Sequence, residues 1–158
     1  MPLGLLAGIV KRGVLLPGVL TAALSPCIAS AALGELEASV KTDAAMMRGS
    51  MKVADNANYR SHEIQTPSGT VVREFTGSDG KVFAVVWSGP AMPNLRQTLG
   101  QYFESYVAAA KANRSGHHHL EVDAADLVVH SAGHMRAFSG IAYLRAAVPA
   151  GVSIGELQ

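Results

Sequence analysis

Three extended runs, Tyr59 to Gln65, Thr70 to Thr76 and Lys81 to Trp87, are separated by Pro67-Ser68-Gly69 and Ser78-Asp79-Gly80. Turn residues at that spacing bring successive runs back against each other, so the segment reads as a three-stranded antiparallel meander. Within the second run Val71, Arg73 and Phe75 fall on one face and Val72, Glu74 and Thr76 on the other. The third run is apolar on both faces from Val82 to Val86, which makes it the central strand, and Gly89-Pro90 and Pro93 end it.

Asn94 is a helix-capping residue. Behind it Leu95, Leu99, Tyr102, Phe103, Tyr106, Val107 and Ala110 recur at the helical period, which predicts one long helix to about Ala112. An apolar stripe that wide needs a partner, and the meander is the large one on offer. After the polar stretch Asn113 to His119, Asp126 to His130 and Met135 to Ile141 read as a second hairpin turning at Ser131-Ala132-Gly133-His134. Upstream, Val40, Ala44, Met47 and Met51 at three- and four-residue steps predict a short amphipathic helix. The expected fold is therefore α+β: an antiparallel sheet in the order β-β-β-α-β-β, one long helix packed on a face, and a short N-terminal helix. Residues 32–55 form the N-terminal segment, a short helix or partly disordered, and residues 56–158 a single domain.

The first 31 residues read differently. Lys11 and Arg12 precede an uncharged apolar stretch, and Ala29-Ser30-Ala31 supplies the small residues a signal peptidase requires, so the sequence predicts a signal peptide cleaved after Ala31. The protein is then periplasmic or secreted. An uncleaved anchor is the alternative, since residues 13–33 carry no charge over a length that spans a bilayer; Pro17, Pro26 and the small-residue run argue for processing. Pro26 before Cys27 disfavours a lipoprotein. Met1 to Val10 is itself apolar and precedes the basic pair, an arrangement that places initiation near Val10. Cys27, the sole cysteine, leaves with the leader, so the mature domain forms no disulfide. Losing Lys11 and Arg12 from the 13 basic residues turns the net charge of +1 slightly negative, which disfavours nucleic acid as a partner. No later segment approaches a membrane span.

Pro67 to Phe75, Lys81 to Pro90, Leu99 to Phe103, Asp126 to Val129 and Gly133 to Phe138 together resemble DUF2844, a family of exported proteobacterial proteins of unknown function. The resemblance extends from Ala32-Leu33-Gly34 to Pro149-Ala150-Gly151-Val152. It implies a bacterial envelope or secreted setting and no reaction. Asn94 stands where an acidic residue is expected, and His117-His118-His119 is peculiar to this chain.

Chemistry-bearing residues are few. His117, His118 and His119 are candidate metal ligands, but three adjacent imidazoles on one loop do not easily converge on one ion, and no partner sits at zinc-site spacing. Met46, Met47 and Met51 are better explained by core packing than by a soft metal. Arg73, Trp87, His134 and Arg136 are the candidate ligand-binding residues: an arginine fork grips a carboxylate or sugar phosphate, and a tryptophan offers a stacking platform. Against this, Trp87 also suits a core rim, and Arg73 and Arg136 suit cross-strand pairing with Glu74 or Asp126. Ser131 with His134 lacks the elbow and third group of a nucleophilic site. Asn113-Arg114-Ser115 is a glycosylation acceptor only under eukaryotic secretion. No cofactor is implied. The sequence points to a non-catalytic exported domain that binds an envelope protein or small ligand; the alternatives are a small metal-binding or hydrolytic protein using the histidines, and a structural role through self-association.

Overall fold

Val82–Gly89 lies at the middle of a seven-stranded antiparallel sheet, as its double-sided apolar pattern predicts. The computed structural model describes residues 33–112 and 119–158; the signal-peptide expectation and His117 and His118 lie outside them. A 3-10 turn (Glu37–Ser39) leads into α1 (Val40–Met46), then β1 (Ser50–Asp55), β2 (Arg60–Gln65), β3 (Val71–Thr76) and β4 (Val82–Gly89). Helices α2 (Leu95–Leu99) and α3 (Phe103–Ala112) flank a 3-10 turn, and β5 (His119–Ala124), β6 (Leu127–His134) and β7 (Ala137–Leu144) follow. The spatial order is β1-β2-β3-β4-β7-β6-β5. The α+β class and the antiparallel sheet are as expected, with seven strands where five were expected and a broken helix in place of a continuous one.

Each difference has a local cause. The stripe through Met51 is not one helix: α1 ends at Met46, Arg48 takes a left-handed φ of 51°, and the chain turns into β1. Gly49 makes the turn possible, since a Cβ there would lie 2.5 Å from Ile64 Cγ2. Met47 and Met51 still pack on the same core, one from the helix end and one from the strand. The long helix breaks at Gly100, whose φ of 49° and ψ of −122° an L-residue resists. Its predicted cap is present: Asn94 Oδ1 accepts from the Arg96 and Gln97 amides at 3.1 and 3.4 Å. The second hairpin turns at Met135-Arg136, beyond the expected Ser131 to His134, because Gly133 is a strand residue covered by the Phe138 ring. β5 is a short edge strand that alternates polar and apolar residues, with Leu120, Val122 and Ala124 on the core side, and it follows directly on the polar stretch Asn113 to His119.

One sheet face is roofed by the helices. Ile64, Val72, Val85, Trp87, Val122, Val129 and Ala142 meet Val40, Ala44 and Leu99 there, with Tyr102, Phe103 and Tyr106 packed against them. The other face is covered over one half only. Phe75, Phe83, Ala84, Val86 and Ile141 are packed by Tyr59, Tyr143 and the C-terminal segment, which ends in the 3-10 turn Ile154–Leu157. Phe83 reaches that face because Phe75 pairs with Ala84 and Thr76 with Val82, leaving one extra residue in β4.

Candidate functional site

The half of the second face that the C-terminal segment leaves open is a groove of about 380 Å³, within the usual range for small-molecule sites. Strand register builds it. One row across the sheet runs Glu63, Arg73, Val86, Ile141, His130, and the next runs Val71, Ser88, Ser139, Ala132. Val86 and Ile141, 5% and 1% exposed, form an apolar floor at the margin of the cluster that the C-terminal segment covers. Arg73, Ser88, His130, Ser139 and Gln158 supply a polar rim.

Arg73 is half-buried and makes no ion pair among the described residues. Glu63 stands opposite it in register without closing on it. Across the groove His130 Nε2 lies 3.4 Å from Glu121 Oε1, so the imidazole is oriented by an acid on the neighbouring strand. A planar guanidinium at the edge of an apolar floor suits a ligand with an apolar body and an anionic head.

Of the four candidates the structure brings the Arg73 side chain alone to this groove, and it corrects the reading of Trp87 as a stacking platform. The Trp87 ring belongs to the helix-covered face, 1% exposed and lying over Gly140, where a Cβ would be 2.3 Å from Trp87 Cζ2. The β4 backbone at Trp87 borders the groove. His134 and Arg136 are exposed at the β6–β7 turn, Arg136 with φ 63°, and do not line it. The residues not singled out for binding, Ser88 and Ser139, carry no distinctive signal: they are ordinary polar residues that register alone places side by side. His119 opens β5, and among the described residues no group of three His, Cys, Asp or Glu side chains is placed to hold a metal ion.

A second polar cluster lies beneath the helices. Asp43 of α1 and Glu74 of β3 are 0% and 1% exposed. Gln97 Nε2 of α2 donates to Asp43 Oδ1 at 2.7 Å. Among the described residues no N–H or hydroxyl donor reaches either oxygen of Glu74; its hydrogen-bonding neighbour is Asp43, and two carboxyl groups hydrogen bond only when one holds a proton. Burial first, then the Asp43 charge and hydrogen bond, hold the Glu74 carboxyl well above the ordinary glutamate range. Glu74 therefore pairs with an acid through the core, and Arg73, its neighbour in sequence, points to the opposite face. Asp126 is occupied too, its Oδ1 accepting the Ala146 amide at 2.8 Å. His62, 3% exposed and opposite Glu74 in register, is pushed below the usual histidine value by burial, against the opposing pull of Glu37, whose Oε1 lies 3.5 Å from its Nε2. Asp43 and Glu74 are closed off from the surface, and their contact, with Gln97, ties α1 and α2 to the sheet.

A family model described as a protein of unknown function (DUF2844) matches residues 29–157. Comparison with curated proteins and with solved structures returns no match.

Proposed function

The chain belongs to the DUF2844 family of proteins of unknown function, and from that premise we propose that it is an exported, non-catalytic binding domain of the bacterial cell envelope whose site is the open sheet face at Arg73. The observation that carries this reading is the guanidinium of Arg73, which makes no ion pair among the described residues, beside the apolar floor of Val86 and Ile141 in a groove rimmed by serines. Such a site recognises a small organic acid: the floor shelters the hydrocarbon and the fork takes the carboxylate in two parallel hydrogen bonds. The leader-like residues before Ala32 support delivery to the envelope.

Calorimetry with hexanoate and hexanol tests the reading, because the two probes share a chain and differ in charge. Hexanoate binding that falls at least tenfold in Arg73→Gln, with hexanol weak in both proteins, is the expected result. Equal affinity for the two probes, or an unchanged hexanoate affinity in the variant, removes the anion site.

A further inference from the structure

β1 ends the sheet with an open row of backbone groups. The Asn56 amide donates to the Tyr59 carbonyl at 2.9 Å, so in the β1–β2 register the hydrogen-bonded positions fall at Ser50, Lys52 and Ala54. The N–H and C=O groups of Met51, Val53 and Asp55 therefore point away from β2, and no backbone partner meets them among the described residues. The devices that usually blunt such an edge are missing: β1 matches β2 residue for residue in an unbroken register and contains no proline. Lys52, the charge in its middle, lies opposite Glu63, and Asp55 is engaged by Arg60. β5, at the other edge, differs, because α3 packs against it and Glu121 and Asp123 stand exposed at alternate positions.

A row of alternating backbone donors and acceptors calls for another strand, and the side chains decide which. Two copies of β1 laid antiparallel can be centred on Lys52, Val53 or Ala54 and still match their outward groups. Centred on Lys52, the pairing sets lysine against lysine. Centred on Ala54, it sets Val53 against Asp55 and carries Met51 past the strand into the turn. Centred on Val53, it sets Val53 against Val53, Met51 against Asp55 and Lys52 against Ala54. In that register no like charges are opposed and every outward group is paired. It also covers Val53, which is 50% exposed and borders a groove of about 420 Å³ with Ala38, Val40 and Met51 on the helix side.

We propose that β1 pairs antiparallel with β1 of a second copy, about a two-fold axis at Val53, joining two seven-stranded sheets into one. The same strand serves both copies, so the assembly closes as a dimer. The dimer is independent of the Arg73 groove. Sedimentation velocity of the purified protein over a concentration series, with amide hydrogen exchange read by NMR, tests it. Wild type associates to a dimer, in which the amides of Met51, Val53 and Asp55 are protected. Val53→Lys opposes two lysines on the axis, so its dissociation constant rises about tenfold or more and those three amides exchange freely. The amides of Lys52 and Ala54, bonded to β2, stay protected in the variant and show that it is folded. Val53→Thr, which keeps the branched shape without a charge, dimerises with wild type affinity to within about threefold. A monomer at every concentration, a dimer whose Met51, Val53 and Asp55 amides exchange freely, association that grows past the dimer, or a Val53→Lys dimer as tight as wild type overturns the proposal.

Discussion

Asp43 and Glu74 bury their carboxyl groups against each other between α1 and the central part of the sheet, with Gln97 of α2 donating to Asp43 and His62 beside Glu74 on the next strand. One contact therefore ties two helices to one strand, and its strength depends on a proton.

The sign of the pH dependence follows. The Glu74 carboxyl is raised in the folded state, so its contribution is complete below the unfolded glutamate value of about 4.3 and is lost as pH rises through the folded value. His62 is lowered by burial, so its contribution is present above the unfolded histidine value of about 6.5 and is lost as pH falls. Glu74→Gln keeps a donor for Asp43 and removes the titration. Urea unfolding at pH 5, 7 and 9 should find the variant more stable than wild type by on the order of 1–2 kcal/mol at pH 9, with the gap closing toward pH 5.

Gly140 is under Trp87 and Gly133 under Phe138, so each replaces a side chain with a ring from a neighbouring strand. Gly140→Ala forces a methyl into the fully buried indole and should cost about 1–3 kcal/mol in denaturant unfolding. Gly133→Ala should cost less, since Phe138 is only half-buried and has room to move. Trp87→Phe should be milder than a typical core truncation, because Trp87 Nε1 has no acceptor among the described residues and its removal deletes a buried unpaired donor.

Asn94→Ala removes the acceptor of the Arg96 and Gln97 amides and should cost about 1 kcal/mol. Asn94→Asp should match or exceed wild type at neutral pH, since a negative cap also complements the helix dipole. Thermal unfolding of the three proteins side by side measures both.

The meander was legible because β3 divides into two faces, β4 is a continuous apolar run, and each turn carries residues that turns favour; β2, β3 and β4 fall within a residue or two of their expected limits. Elsewhere the same signals misled for physical reasons. Glycine marks turns because it tolerates left-handed backbone, but Gly133 is a strand residue sheltered by an aromatic ring, which displaced the expected hairpin turn. Met51 falls four residues after Met47 whether the chain is helix or strand, and the turn at Arg48-Gly49 decided it. The candidate site was half legible. Arg73 is conspicuous in a strand, but its companions Ser88, Ser139 and His130 meet it only through the β4–β7–β6 order, which no local pattern encodes. The Asp43–Glu74 pair was hidden because an acid on a strand reads as a solvent-facing residue until the helix above it is placed.

Arg73→Gln should leave stability within about 0.5 kcal/mol of wild type, since Arg73 makes no ion pair among the described residues. Matching urea midpoints for the two proteins would show that any loss of ligand binding reflects recognition and not folding.

Where a small acid lands on the sheet tests the account most directly. In amide NMR spectra of the protein titrated with hexanoate, the largest shifts should fall on Arg73, Val86, Ser88, Ser139 and Ile141, and should vanish in Arg73→Gln. Shifts centred instead on the exposed β6–β7 turn at His134 and Arg136, or no saturable shift at all, would contradict the assignment of the open sheet face as the binding site.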